Sequence, residues 1–477
     1  MSSVTLTIAK DEWRYWWRSK LAISVLIIAI ALAIAAVIVT ALSVSHSAQQ
    51  REHLQHSAEQ AFASQPNRHP HRMVHYGHYV FRIPPPLAGI DPGIDALTGT
   101  SIFLEGHRQN GASFSEQQQG TGLTWLGGLS VAFVMQVLAP LLLIIMGYGA
   151  ITREREAGTF DFLKAQGVSP LSLIVGKGLA LLLAGLLVLT PLALGSIYAA
   201  ATGGSAFTTG FFILAYALYL GIWCSAVLLV STLCSSNSIS FSVLIGLWIL
   251  LCLLLPRIAS NSATVLVSSP GKLETDFAVI DEVRKLGDGH NASDPAFQKL
   301  KANLLAQYNV DNIEDLPINF RGVVAQQSEQ NLTQVLNKFA EQSMHEAIAQ
   351  AQIARQFGWL SPMIAIRSAS MTLAGTDLEN YHRFLREAED VRYQFVQSLN
   401  KLHAEALSHK DDSNKYLDEA NLEKAKVDAS NWQMLSEFTF SPAPANQRIA
   451  HSLLAFSQLI LLLILFLVLL RFAGQKQ

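Results

Sequence analysis

Apolar positions in this chain are gathered into long blocks rather than spread in short periodic stretches. Blocks of about twenty or more, the length that crosses a hydrocarbon core of roughly 30 Å, fall at 21–44, 126–150, 176–200, 207–233, 239–258 and 449–472. Charge is pushed into the intervals between them. The pattern predicts a mainly α membrane protein with six transmembrane helices. The apolar core of the first block is too long for a secretory signal and no convincing A-x-A site follows it, so it reads as a permanent span. The turns Thr202-Gly203-Gly204-Ser205 and Ser235-Ser236-Asn237-Ser238 are so short that the third, fourth and fifth spans must be sequential antiparallel neighbours.

The intervals carry their own patterns. In residues 1–20, Lys10, Arg14, Arg18 and Lys20 surround Trp13, Tyr15, Trp16 and Trp17. This suits an interfacial helix lying along the cytoplasmic surface, or a simple juxtamembrane anchor. Residues 45–125 are polar, with turns at Pro84-Pro85-Pro86, Asp91-Pro92-Gly93 and Gly120-Thr121-Gly122. They predict a first segment of loops and short strands, with no strong helical period after about residue 65. In the 151–175 loop, Thr152 to Lys164 is dense in charge and predicts a short helix interrupted at Gly158 and Thr159. Gly167, Ser169 and Pro170 close it, and a new apolar helix starts with Gly176-Lys177 at its head.

The largest polar interval, 259–446, is long enough for its own core. It reads as helices over 294–308, 322–357, 377–408 and about 414–436. Leu332, Leu336 and Phe339 recur at helical spacing. Leu378, Tyr381, Leu385, Ala388, Phe395, Leu399 and Leu402 follow a three-four repeat that Arg392 breaks. Thr376-Asp377 is a good helix start. The expected product is a bundle of long antiparallel helices standing off the membrane, with Pro442 and Pro444 as a stiff link back to it.

Six spans place both termini on one side. The short-loop basic residues choose the side: Lys10, Arg14, Arg18 and Lys20, then Arg153, Arg155, Lys164 and Lys177, then Arg471 and Lys476 in and beside the 473–477 tail. The 202–206 turn has none. Both termini and the 151–175 loop are therefore expected to be cytoplasmic. The segments 45–125 and 259–446 are expected outside, which for a bacterial inner membrane is the periplasm.

Composition adds exclusions. The net charge of −2 gives no reason to expect nucleic acid as a partner. Cys224, Cys234 and Cys252 all lie in or beside apolar blocks with no CxxC pair, so they read as small buried side chains and not as a disulfide or metal framework. There is no GxxxxGK[ST] and no GxSxG. His345-Glu346 lacks the second histidine of a zinc-protease helix because position 349 is Ala349. The expectation is a non-catalytic chain that binds no cofactor of its own.

Histidines crowd the first segment: His46, His53, His56, His69, His71, His75, His78 and His107. His53 with His56, His75 with His78, and His69 with His71 are each spaced to meet one metal ion, zinc or copper by ligand type. No carboxylate or thiol recurs beside them, so a solvated, pH-responsive loop is the competing reading. His69, His71, His75 and His78 are the metal candidates. Within the spans, Gln136, Pro140, Pro191, Pro256-Arg257 and Gln458 mark either a pathway or helix-packing contacts.

Taken together, six spans, a basic-aromatic amino helix and the loop Glu154-Arg155-Glu156-Ala157-Gly158-Thr159, followed by Gly167, Ser169-Pro170 and Gly176-Lys177, resemble an ABC-2-type transporter permease. Further stretches resemble a subgroup with an added periplasmic domain of unknown function between spans 5 and 6. These are Leu247-Trp248 through Leu255-Pro256-Arg257, Ser361-Pro362, Ser368, Leu373-Ala374-Gly375-Thr376-Asp377, His382, Phe384 and Arg392. Tyr79 and Pro84-Pro85-Pro86-Leu87-Ala88 fit it too.

The resemblance implies a permease subunit coupling ATP hydrolysis in a separate subunit to export of a substrate. The alternative is a mechanical transmitter acting on a periplasmic or outer-membrane partner. It implies a second permease chain, ATP and Mg held by the ABC ATPase partner, and a coupling site at Glu154, Arg155, Glu156, Gly158, Thr159 and Lys164.

Overall fold

Serines start the three spans in the middle of the chain. Ser169, Ser205 and Ser236 each accept a hydrogen bond from a backbone N–H of the first helical turn, satisfying a donor that lipid would leave without a partner. The computed structural model is mainly helical, with six helices long and apolar enough to cross a membrane. The chain is thus a multi-pass helical membrane protein. The structure describes residues 3–95, 97–113, 130–287, 289–291, 293–434 and 438–477. The expected Gly120-Thr121-Gly122 turn and the start of the 126–150 span lie outside the described residues.

In chain order, α1 (Ser3–Ser19) turns at Lys20 into α2 (Leu21–Ala63). The helix does not end with the apolar block at residue 44. α2 is one unbroken helix of 43 residues, about 65 Å long at the α-helical rise. Its polar second half is rich in Gln, Glu and Ala, which favour helix, and Phe62 near its end is fully buried. Then come α3 (Pro70–Tyr76) and two short antiparallel strands, β1 (His78–Phe81) and β2 (Ser101–Leu104), with His78 opposite Leu104.

The second span is α4 (131–147). The charged loop that follows folds as α5 (Thr152–Glu156) and α6 (Thr159–Ala165). The remaining spans are α7 (Pro170–Ala201), α8 (Ala206–Leu233), α9 (Asn237–Leu266) and, after the helical domain, a final helix over Ala445–Gln475. Gly176-Lys177 is therefore not a helix head: α7 begins at Pro170, where the fixed φ of proline suits a first helical position.

The domain between the fifth and last spans holds α10 (Lys272–Arg284), α11 (Gln298–Tyr308), α12 (Phe320–Gln356), α13 (Pro362–Ala374), α14 (Leu378–Ala406), α15 (His409–Asn414) and α16 (Glu419–Lys424). The last span is α17 (Ala445–Gln475). α12 and α14 form the expected antiparallel pair, and Asp377 caps α14 as expected. Residues 259–266 continue the α9 helix.

Two expectations for the domain fail. No single helix covers 414–436; α15, α16 and a 3-10 turn at Ala429–Met434 stand there instead, and 435–437 lie outside the described residues. Asp418 caps a fresh helix start. The Val427 N–H bonds the Arg68 carbonyl at 3.0 Å and Trp432 Nε1 bonds the Pro66 carbonyl at 3.0 Å, which holds the segment against residues 66–68. Nor does the domain simply stand off the membrane. α13, which the sequence did not predict as a helix, packs its Ala365, Ile366, Ala369 and Leu373 into the same apolar core as the spans, against α8 and α17.

The spans' polar side chains hold α13 there. α4 and α9 each contain a π-turn, Val134–Leu138 and Ile249–Leu254, just before Pro140 and Pro256. Proline has no N–H, so carbonyls one turn back lose a donor. The Tyr219 hydroxyl donates to the Gln136 carbonyl at 2.5 Å, and the Ser361 hydroxyl, at the start of α13, donates to the Leu251 carbonyl at 2.6 Å. Gln136 Nε2 donates to the Tyr216 hydroxyl at 2.8 Å, which lies 2.9 Å from Ser370 Oγ in α13; Ser370 in turn bonds Asp91. Gln458 Nε2 reaches the Arg355 carbonyl at 2.9 Å. Of the two readings of intramembrane polarity, Gln136 and Gln458 make packing contacts.

Ser361→Ala removes both the cap of α13 and the donor to Leu251. Leaving that carbonyl without a partner is expected to cost about 1–3 kcal/mol, read as a lowered melting temperature in detergent against wild type.

Candidate functional site

The loop between the second and third spans is a charged handle fixed to the span ends. Gly158 adopts φ 70°, a left-handed conformation open to glycine, and joins α5 to α6. Arg155 donates to the Thr232 and Cys234 carbonyls at 2.6 and 2.5 Å, at the carboxyl end of α8, and to the Gln477 side chain at 2.5 Å. Glu156 accepts from the Asn237 backbone N–H at 2.8 Å and from its side chain, at the amino end of α9. A cation thus sits at a helix carboxyl end and an anion at a helix amino end, each matched to the dipole it meets. Lys164 Nζ reaches the Gln477 carbonyl at 2.6 Å.

Beneath the handle lies an ion cluster. Lys177, in the third span, is only 4% exposed. It pairs with Glu154 of α5 and, at 3.1 Å, with Glu12 of α1. Arg153 Nη2 is 2.7 Å from Glu12 and its guanidinium covers the Tyr15 ring at 3.6 Å. Thr159 donates to Glu154 at 2.6 Å. Gly176 lets α1 lie directly on α7: a Cβ there would come within 2.7 Å of Ile8 and 2.9 Å of the Thr5 carbonyl. α1, the handle, the α8–α9 turn and the carboxyl end of the chain therefore share one end of the span bundle.

The six predicted coupling residues are brought together, with Glu154 and Arg155 half-buried and Glu156 and Lys164 exposed. Glu154, Arg155, Glu156, Thr159 and Lys164 all bond to the chain itself, and Gly158 makes the turn. The exposed face carries Glu156 and Lys164 together with Ala157, Asp161, Phe162 and Gln166, and Phe162 is 63% exposed. Sequence reasoning passed over Phe162; the signal was an aromatic residue in a charge-dense stretch, next to Phe160, which is buried.

The histidine candidates separate into different places. His78 stands on β1 between the rings of Phe62 and Phe395, 5.9 and 5.2 Å away, and belongs to neither cluster of potential metal ligands among the described residues. His69 joins His403 and Asp412: their Nε2 atoms lie 3.0 and 2.9 Å from the carboxylate, which also receives Lys415 at 2.6 Å and Asn319 at 3.1 Å. That carboxylate is already saturated, with an ammonium in the cation's place. Burial would raise the Asp412 pKa, but the hydrogen bonds from His403, His69 and Lys415 outweigh it and hold the carboxyl far below its usual range.

His71 and His75, one helical turn apart on α3, meet His107 and, from the helical domain, His290. Their ligand nitrogens lie within 4.8 Å of one another. Burial, then the neighbouring His107, His75 and His290, hold the His71 pKa down to about 3, so its ring is neutral at pH 7. Arg392, which breaks the apolar repeat of α14, sits beside this cluster at 1% exposure, bound to Glu329 at 2.6 Å and to both oxygens of Glu389 at 2.8 Å. Burial would raise the Glu329 carboxyl, yet the hydrogen bond with His107 and the charge of Arg392 bring it down to about 2.

The profile of a family described as a domain of unknown function (DUF3526) matches residues 276–441, which are the helical domain with α13 inside it. No curated protein matches the chain.

Two outcomes follow from this geometry. Lys177→Met leaves Glu12 buried without that ammonium partner. The expected loss is about 3–5 kcal/mol, seen as a lower melting temperature and easier proteolysis of α1; wild-type stability would contradict the anchoring role. Burial pushes the His78 pKa from 6.5 down to about 4. The fold binds the proton more weakly than the unfolded chain, so this contribution is complete above pH 6.5 and lost as pH falls toward 4, at up to about 1.4 kcal/mol per pH unit. His78→Phe should flatten the fall in melting temperature between pH 7 and pH 5; an unchanged slope would exclude His78 as a source of it.

Proposed function

We propose that this chain is the membrane subunit of an ABC-type machine, in which a separate ATP-hydrolysing subunit pushes the handle from the cytoplasm and the movement is carried across a bacterial inner membrane to a periplasmic helical domain. A second permease chain pairs with it, and ATP and Mg stay with the ATPase partner. The basic residues gathered at the handle end support this orientation.

The observation that carries the reading is α2. It is tied through α1 to the handle at one end, and at the other its Phe62 packs against Phe395 of α14 at 5.2 Å between ring centroids. One helix of 43 residues therefore links the charged loop to the far domain, and a rigid helix transmits a push without a hinge. α13, bonded to α8, α9 and α17, provides a second route. The work done is movement of the helical domain on a partner beyond the membrane.

Export of a substrate is the second reading, and a cleft favours it. A cavity of about 850 Å³ opens between the middle of α2 and the far end of α7, beside Ala41, Pro85, Tyr198 and Pro444. It has the size and apolar character of a small-ligand site.

The docking face is the test. Purification in mild detergent should bring an ATP-hydrolysing subunit with the wild-type chain. Phe162→Asp should reduce its recovery by at least about tenfold, equivalent to ~1.4 kcal/mol, while melting as wild type. A chain that purifies without such a subunit, or a Phe162→Asp variant that retains it fully, overturns the reading.

A further inference from the structure

Four imidazoles meet where the first segment touches the helical domain, and nothing in the handle or the spans uses them. His71 and His75 lie on one face of α3, with their Nε2 atoms 3.2 Å apart. Ring centroids of His107 and His290 are 4.8 Å apart, and both lie within 5.5 Å of the His71 ring. In a tetrahedral zinc site with Zn–N bonds of about 2.0–2.1 Å, nitrogens are roughly 3.3 Å apart, which is the spacing of the His71–His75 pair.

We propose that His71, His75, His107 and His290 form a binding site for a single zinc-like transition-metal ion. All four donors are nitrogens and, among the described residues, no carboxylate joins the ligand set, so the site excludes calcium and magnesium, which require oxygen.

Three further features separate a metal site from a chance crowding of rings. His107 Nε2 is buried and, among the described residues, has no hydrogen-bond partner. A donor or lone pair left so is costly unless something occupies the place it faces. The other nitrogen of that ring, Nδ1, lies 3.1 Å from Glu329 Oε2, and the His107 backbone N–H bonds the same oxygen at 3.1 Å. A carboxylate on the far nitrogen fixes the tautomer with its lone pair on Nε2, the arrangement that orients metal-binding histidines. Glu329 is itself held by the buried Arg392, so the orienting group cannot swing away. Finally, His75 and His290 are exposed while His71 and His107 are half-buried, which gives an ion a route in from solvent.

In the metal-free chain one of the two facing Nε2 atoms of His71 and His75 must carry the shared hydrogen. With the ion bound, both point lone pairs at it and their protons reside on Nδ1. The ion ties α3 and the His107 turn to the loop carrying His290, between α10 and α11. It would therefore staple the first segment to the helical domain. The site does not depend on the ATPase reading.

The test uses the full chain, purified in detergent through a tag without histidines and stripped with chelator. Titrated with Zn²⁺, it should take up roughly one ion per chain and melt at a higher temperature. Cobalt in the same site should show the intense visible d–d bands of tetrahedral nitrogen coordination. His71→Ala/His75→Ala should weaken zinc binding by at least about a hundredfold, and His290→Ala should weaken it while leaving the metal-free melting temperature unchanged. His53→Ala/His56→Ala, on α2, should bind as wild type. Absence of stoichiometric zinc in the wild-type chain, binding unaltered by the paired His71 and His75 substitutions, or binding lost with His53 and His56 instead, would each overturn the proposal.

Discussion

The ammonium of Lys177 is placed where no unpaired charge can remain, inside an apolar helix and shielded from water. Desolvation of a lone charge costs several kcal/mol, a large share of a domain's net stability, and two carboxylates come to it. Glu12 brings α1 onto α7, and Glu154 brings the handle down onto both. Arg153 then balances the second of the two carboxylates by pairing with Glu12, and stacks on Tyr15. Gly176 permits this closeness because any side chain there would strike Ile8. The position of α1, the tilt of the handle and the start of α2 all descend from that one cluster.

A rigid end of this kind makes movement transmissible. The handle's other charges clamp the α8–α9 turn and the chain's carboxyl end, so a displacement of α6 cannot be absorbed in a loose loop. From there two stiff connections lead away: α2, which continues past the apolar zone into the domain, and α13, which the domain lowers into the span core. The polar residues of the spans serve the second connection. Prolines free carbonyls in α4 and α9, and hydroxyls from α8 and α13 occupy them. Groups that would be liabilities in lipid become the attachments that keep the domain in register with the spans.

The far domain repeats the logic with different chemistry. Arg392 and Asp412 are charges buried among opposite charges and histidines, and each gathers residues from chain segments hundreds of positions apart. Such clusters contribute little net stability over apolar packing but penalise any arrangement that leaves a member unpaired. They fix which surfaces meet, including the junction at which four histidines converge.

Much of the architecture was legible in the residues. Crossing a membrane is a one-dimensional demand on a stretch of sequence, so the six apolar blocks specified six spans; serine caps, Gly158 and the repeat in α14 are equally local and were equally readable. The grouping of Glu154 to Lys164 could be seen as one site, and His71 and His75 as part of a donor set. What the sequence left open is every choice made by distant pairing. That α2 runs on to Ala63, that α13 enters the span core, that Arg155 and Glu156 face helix ends and leave Phe162 outward, and that His107 and His290 join His71 while His78 does not, were settled only by the tertiary structure. Burial in lipid depends on neighbours along the chain, whereas the partner of a charge, a free carbonyl or an imidazole depends on which remote segment the completed packing brings within 3 Å or so of it.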